Sequence, residues 1–525
     1  MKLRHLKKIR IALSLAIFLF LLIFFLGIES GLLNPVSNFL LRLQLIPSIL
    51  RFLALFFTIS GLGFLLVLGL TFLFGRVYCS SICPMGTLQD MIIALARPFR
   101  KKKNRKFTYS GNQKNILRYS VLGATIVFWF FGSLFLVNLL DPYSNFGKIS
   151  VSFFQPAFIF LNNKLAFFLE RFHIYSVAPL EVKTLPLYVI MVSATIFLTI
   201  GIMSVLRGRL FCNTLCPAGA MLSLVAHKQY YKITFNDGAC TLCGKCERVC
   251  KAECLNSRTK VIDHSRCVSC FNCFTACTND ALFYSHQKAV PAMVATNTPA
   301  ASPGKRQFLL AMAGGALSIP LLKNVSLAQG YSKPGLVPTG TASPVTPPGA
   351  ISYEHFTSNC IACYLCVGAC PKNVIVPSFF DYGLNGFMQP KLDYHRSFCN
   401  FDCVKCTEVC PTGAITKQTP EEKQKIQIGV ARFMQESCIV TIDRTDCGAC
   451  SEHCPTKAVH MVEWEGLRLP EVTPDLCVGC GACEYACPTE PYKAIYVESN
   501  LVHLEARPIE ESDGPQQQVL DDFPF

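Results

Sequence analysis

The 525 residues predict a membrane α-helical domain, with four spans in two tandem repeats and a short fifth hydrophobic helix, carrying two cysteine-rich α+β modules. Three observations carry that reading. Hydrophobic residues make up 51% of the chain and charged residues only 16%, too oily for an ordinary soluble assembly and too apolar for disorder. The apolar residues gather into uncharged windows of about 20 residues, the length a helix needs to cross a bilayer. The 29 cysteines recur at short fixed spacings, whereas disulfide scaffolds belong to short secreted chains.

The windows are Ile11–Ile28, Phe52–Gly75, Tyr119–Leu140 and Thr184–Leu206. No small-x-small cleavage site follows Ile28, so the first window reads as a span and not as a removed leader. Basic residues set the orientation. Lys2, Arg4, Lys7, Lys8 and Arg10 precede the first span, and Arg97–Lys106 holds seven more with no acid. Both segments are expected to be cytoplasmic, with the loops 29–51 and 141–183 facing outward. The net charge of +15 is thereby assigned to topology, and no nucleic-acid partner is expected.

Domain 1–235 is the membrane part, 236–285 the first cysteine module, 286–350 a linker, 351–507 the second module and 508–525 an acidic tail. Inside the linker, Lys305-Arg306, an apolar stretch to Leu322 and Ser326-Leu327-Ala328 read as an export-signal-like or anchor helix over 305–328, the alternative being a buried soluble helix.

Six cysteine tetrads account for 24 of the cysteines. Cys240, Cys243, Cys246, Cys250 and Cys267, Cys270, Cys273, Cys277 follow C-x2-C-x2-C-x3-C. The second module holds Cys360, Cys363, Cys366, Cys370; Cys399, Cys403, Cys406, Cys410; Cys438, Cys447, Cys450, Cys454; and Cys477, Cys480, Cys483, Cys487. Proline follows the last cysteine of all four, at Pro371, Pro411, Pro455 and Pro488. This is the run that binds [4Fe–4S] clusters, three thiolates wrapping one cubane while the fourth reaches the other cluster of the pair. Both modules are therefore expected to be ferredoxin-like, with six clusters in all. In the first, Cys277 completes the site of Cys240, Cys243 and Cys246, and Cys250 that of Cys267, Cys270 and Cys273. Zinc is the rival for any single tetrad, but zinc sites usually pair two separated knuckles.

Five cysteines remain, and four repeat. Gly75-Arg76-Val77-Tyr78-Cys79-Ser80-Ser81-Ile82-Cys83-Pro84-Met85-Gly86 aligns with Gly208-Arg209-Leu210-Phe211-Cys212-Asn213-Thr214-Leu215-Cys216-Pro217-Ala218-Gly219. Each copy ends a unit of span, interfacial stretch and span, which implies a pseudo-twofold axis along the membrane normal. Cys79, Cys83, Cys212 and Cys216 then meet as a seventh tetrad holding an additional iron–sulfur centre, or else form a redox dithiol or structural thiols. Arg76 and Arg209 would offset its charge, or simply end their helices. Cys254 reads as a spare thiol. There is no C-x-x-C-H, G-x-G-x-x-G or Walker loop, so attached haem, dinucleotide and NTP chemistry are not expected.

Residues 1–285, with their spans, two C-x3-C-P motifs and a two-cluster module, resemble the NapH family of membrane quinol dehydrogenase subunits. Residues 305–500 resemble NapG/MauM-type ferredoxins, the run Cys477-Val478-Gly479-Cys480-Gly481-Ala482-Cys483-Glu484-Tyr485-Ala486-Cys487-Pro488 being especially similar. The resemblance implies a fusion in the bacterial cytoplasmic membrane. Its N-terminus and two-cluster module are cytoplasmic and its four-cluster domain is periplasmic. It implies a quinol dehydrogenase component that draws on the membrane quinone pool and reduces a periplasmic c-type cytochrome or reductase, alone or with other membrane subunits. The alternatives are a conduit from cytoplasmic ferredoxin or flavoprotein, and a redox-sensing or maturation factor. Similarity to four-tetrad electron-transfer subunits implies nested ligation: Cys360, Cys363 and Cys366 with Cys487; Cys477, Cys480 and Cys483 with Cys370; Cys399, Cys403 and Cys406 with Cys454; and Cys438, Cys447 and Cys450 with Cys410. No span contains an Asp, Glu, Lys, Arg or His, which leaves Asp141, at the end of the third, as the candidate proton acceptor.

Overall fold

The structure, a computed structural model, describes residues 4–28, 34–54, 62–99, 107–109, 115–236, 238–286, 343–490 and 492–507. The hydrophobic helix expected at 305–328, most of the linker and of the basic run, and the acidic tail lie outside the described residues.

The N-terminal part is helical: α1 (Arg4–Phe25), α2 (Asn34–Arg42), α3 (Leu45–Ala54), α4 (Gly63–Phe74), α5 (Pro84–Ala96), α6 (Asn115–Phe130), α7 (Phe135–Leu140), α8 (Pro142–Ile149), α9 (Gln155–Glu170), α10 (Leu187–Arg207), α11 (Leu210–Thr214) and α12 (Pro217–Ala226). Single π-helical turns at Tyr78–Ile82 and Ser150–Phe154 interrupt it. Among the described residues two helices, His5–Phe25 and Leu187–Arg207, are long and apolar enough to cross a membrane. The four windows are thus not four unbroken helices. The second is helical over α4, and the third divides between α6 and α7. Gly132, at φ +77°, is the reason. Its N–H bonds to the Trp129 carbonyl while the Ser133 N–H reaches Phe128, a Schellman closure that ends α6. Along α10, Leu187, Leu198, Ile202 and Leu206 are all more than half exposed, an apolar face that water would not favour.

Among the described residues, five two-stranded antiparallel sheets serve the cysteine modules. In the first, β1 (Lys232–Phe235), α13 (Lys245–Arg248), β2 (Leu255–Asn256), β3 (Val261–Ile262), α14 (Asn272–Ala276) and β4 (Leu282–Ser285) follow in order. The outer strands β1 and β4 pair, Lys232 opposite Ser285, and close the module. In the second, β5 (Ile375–Pro377) pairs with β6 (Pro390–Leu392), β7 (Ile426–Phe433) with β10 (Ile495–Glu505), and β8 (Val459–Trp464) with β9 (Leu467–Val472).

Helix α1 relates the modules to one another. With 22 residues it is about 33 Å long. Near its start Lys7 reaches Thr275 of α14. At its other end Phe25 packs on Tyr143 and Phe146, and Gln155 bridges the carbonyls of Leu26 and Gly368, in the second module. The two cysteine modules therefore stand at opposite ends of one helix of membrane-spanning length.

Candidate iron–sulfur centres

The cysteine loops are shaped before any metal is considered. In four of them the residues on either side of the middle cysteine both have positive φ: Leu242 and Gly244, Ser269 and Phe271, Ala362 and Tyr364, Gly479 and Gly481. Bulky residues such as Phe271 and Tyr364 adopt that conformation at a cost. What it yields is a nest of backbone N–H groups facing one side, the concavity suited to an anionic cluster. The donors are in place: Ala362 N–H to Cys360, Leu365 to Cys363, Gly479 to Cys477 and Ala482 to Cys480. Such N–H···S bonds favour a thiolate and tune a bound cluster's potential.

The thiols group in fours. Cys240, Cys243, Cys246 and Cys277 line one cavity, as expected. Cys250 neighbours Cys267, Cys270 and Cys273. In the second module the nested arrangement is overturned. Cys399, Cys403 and Cys406 share a cavity with Cys370, and Cys438, Cys447 and Cys450 share one with Cys487. Cys410 joins Cys360, Cys363 and Cys366, and Cys454 joins Cys477, Cys480 and Cys483. Each fourth cysteine ends a short helix and points to the loop nearest in sequence, so two compact units form without a long chain crossing. All described cysteines are free thiols. Among the described residues no three His, Cys, Asp or Glu side chains converge on a single ion; a cubane, which offers each thiolate its own iron, does not ask that of them.

The repeat also converges. Cys79, Cys83, Cys212 and Cys216 are each at most 5% exposed, and burial, then the other thiols, push Cys83 and Cys216 up. The two halves clasp each other: Arg76 donates to the Cys212 carbonyl at 2.9 Å, and Arg209 to the Cys79 carbonyl at 2.6 Å. Gly86 and Gly219 admit the clasp. A Cβ on Gly86 would stand 2.7 Å from the Arg209 guanidinium, and one on Gly219 2.8 Å from that of Arg76. Arg209 also pairs with Asp90, which Arg10 and Lys251 join. Burial raises the Asp90 carboxyl, but Arg209 and Lys251 outweigh it and hold the group well below the usual carboxylate range. Arg76 has a neutral partner instead, Asn213 Oδ1 at 2.7 Å. Four thiols beneath such a cationic frame fit an anionic iron–sulfur centre.

Sequence reasoning missed Asp90, though an acid seven residues past a C-P pair was a usable signal. It also missed Tyr143, buried between the second module and the repeat. Burial first, then the Cys363 thiol, Asp141, Cys410 and Tyr78, raise this phenol. Cys254 is not a bystander. It lies 3.6 Å from Cys250 and hydrogen-bonds Cys267 as well. Asp141 caps α8, accepting from the Ser144 N–H at 2.7 Å, and burial lifts it to about 7.

Comparison with known proteins follows the same lines. A 4Fe-4S binding domain model matches residues 56–106 and 189–232, the two halves of the repeat. Models of 4Fe-4S dicluster domains match 359–415 and 443–490, the two units of the second module. An uncharacterized protein of Methanocaldococcus jannaschii is 27% identical over 219 residues, 41% of this chain and 75% of its own length. The methylamine utilization ferredoxin-type protein MauM of Methylorubrum extorquens is 29% identical over 143 residues, 26% of this chain and 61% of its own. The ferredoxin-type protein NapG of Escherichia coli is 30% identical over 142 residues, 26% and 57% respectively. No solved structure matches. The models and the ferredoxin-type relatives agree with the cysteine loops described above: the chain carries 4Fe-4S binding domains, and its likeness to ferredoxin-type proteins supports iron–sulfur electron transfer.

Proposed function

We propose that this chain is a natural fusion of a NapH-type membrane subunit with a NapG/MauM-type ferredoxin, and that it oxidises membrane quinol and delivers the electrons to a periplasmic c-type cytochrome or reductase. The observation that carries the reading is a succession of four-thiol groups. It runs from Cys240, Cys243, Cys246 and Cys277 to the group around Cys267, then to the repeat tetrad, whose Arg76 touches Ser265. From Tyr78 and Tyr143 it continues to the group of Cys360, Cys363, Cys366 and Cys410. The next group lies through Val367 and Gly368, and a bond from Cys399 N–H to the Cys480 carbonyl leads into the last unit.

Iron–sulfur clusters in these sites would move one electron at a time. The chain's own residues space them, shield them from water and balance their charge. Membrane crossing by four segments, with the two-cluster module cytoplasmic, is part of the proposal; the basic N-terminus, the exposed face of α10 and the length of α1 support it. One observation favours a second entry port. Cys243 is exposed, so a cytoplasmic ferredoxin or flavoprotein can exchange electrons at that end. Anaerobically purified full-length protein in lipid nanodiscs, mixed with menadiol, tests the reading. EPR signals of reduced clusters are expected within turnover times, while reduction by ferredoxin alone would leave the conduit and remove the quinol.

A further inference from the structure

We propose that quinol is oxidised in a cleft at the outer junction, where the start of α9 and the segment before α10 meet the short helix Leu365–Ala369, between Cys366 and Cys370. This rests on the quinol reading above and adds the site. The cleft, about 270 Å3 with its open mouth included, lies between Val151, Gln155, Lys183, Leu185, Val367 and Ile375. Val151, Val367 and Ile375 are buried and give it apolar walls.

Its polar atoms select the reduced ring. Gln155 is 1% exposed. Its amide nitrogen donates to the carbonyls of Gly368, at 3.1 Å, and Leu26, at 3.3 Å. Two carbonyl acceptors fix the orientation of the amide, because an oxygen in that place would face two oxygens. The atom left over, Oε1, is buried without a hydrogen-bond partner. A buried acceptor left unpaired is costly, and what it asks for is a donor. A quinol hydroxyl supplies one; the product quinone has none to give. Lys183, which holds the carbonyls of Gly368 and Cys370, places a positive charge on the same wall, where it favours the oxygen losing its proton.

Position completes the site. Lys183 and Thr184 begin the fourth apolar window, so a ring in the cleft keeps its tail in lipid and has water at hand. Val367 lies between Cys366 and Cys370, which belong to two neighbouring four-thiol groups. The quinol gives up two O–H protons to water and two electrons, becoming quinone. The electrons reduce one oxidised [4Fe–4S] cluster in each group, two one-electron acceptors for a two-electron donor.

The test uses full-length protein in nanodiscs with Gln155→Leu and, to fill the cleft, Leu185→Trp. Three readouts are taken: the Kd of 2-heptyl-4-hydroxyquinoline N-oxide by fluorescence quenching, the rate of cluster reduction by menadiol, and the dithionite-reduced EPR signal. Gln155→Leu is expected to weaken binding and slow menadiol by about tenfold, the loss of one hydrogen bond to a bound group, and Leu185→Trp to weaken both by occupying the cleft, with the dithionite signal unchanged in each. Variants that bind the inhibitor and accept electrons like wild type would place the site elsewhere and leave the quinol reading standing. A wild type with full cluster content that takes no electrons from menadiol would overturn the reading and this site together.

Discussion

The two halves of the repeat share a sequence but not a charge balance. Arg209 meets Asp90 and through it Arg10 and Lys251. Arg76, its counterpart, meets Asn213 and backbone carbonyls, because the position in α12 that corresponds to Asp90 is Ser223. Both guanidiniums are wholly buried, and a buried charge without an opposite is costly. For Arg76 the opposite charge is sulfur. Burial pulls it down, but the Cys79 and Cys212 thiols outweigh that and leave it above its ordinary value. One half of the repeat thus carries its own counter-ion, and the other relies on the four thiols being anionic together. That division of labour is what a shared iron–sulfur centre would produce.

The comparison is broken most severely by removing a ligand. Cys83→Ser or Cys212→Ser should abolish the shared centre, lowering iron and labile sulfide by one centre's worth while the EPR signals of clusters in the two cysteine modules remain. A variant with undiminished iron would mean the tetrad holds none. Next in size is Asp90→Asn, which strands Arg209, Arg10 and Lys251 around a neutral amide. A loss of about 3–5 kcal/mol in unfolding free energy is expected, the usual cost of breaking a buried pair, and denaturant titration measures it. The same carboxylate sets an acid limit. Its folded pKa is depressed, so its contribution is complete above the ordinary carboxylate pKa near 4 and disappears as pH falls through the lower folded value. Acid unfolding of wild type should therefore steepen below about pH 4, and that slope should flatten in Asp90→Asn.

Arg76→Met sharpens the contrast, since it removes a cation that has no carboxylate to leave behind. Its stability cost should be smaller, about 1–3 kcal/mol for the orphaned Cys212 carbonyl. Its redox effect should be larger than its structural one: with less positive charge beside the thiols, the centre's midpoint potential falls in an EPR-monitored titration. An unchanged potential would separate Arg76 from the centre. Cys254→Ala should have the smallest effect, a shift in the potential of the cluster held by Cys250 and Cys267 with no loss of iron. Loss of that cluster would instead make Cys254 a ligand.

The chemistry of this protein was legible where it is local. Ligand spacing, the prolines after Cys370, Cys410, Cys454 and Cys487, and the paired C-P motifs are properties of short segments, and the structure brings the thiols of those segments together in fours. What depended on tertiary closure was not legible. Ligand exchange between loops is decided by which helix end faces which loop, and nested ligation gave way to two local units. Hydropathy marked the apolar windows but not the break at Gly132, where one positive-φ residue outweighs its apolar neighbours. Asp90, Tyr143 and the unpaired carbonyl of Gln155 acquire meaning only from what surrounds them in three dimensions.

The central claim is that electrons pass between the modules through the cysteines of the repeat. Proteoliposomes with the protein in one orientation and cytochrome c trapped inside, given an impermeant reductant outside, test it directly. Wild type should reduce the trapped cytochrome, and Cys83→Ser combined with Cys216→Ser should reduce only the clusters on the outer side. Equal rates of internal reduction in the two proteins would contradict the account.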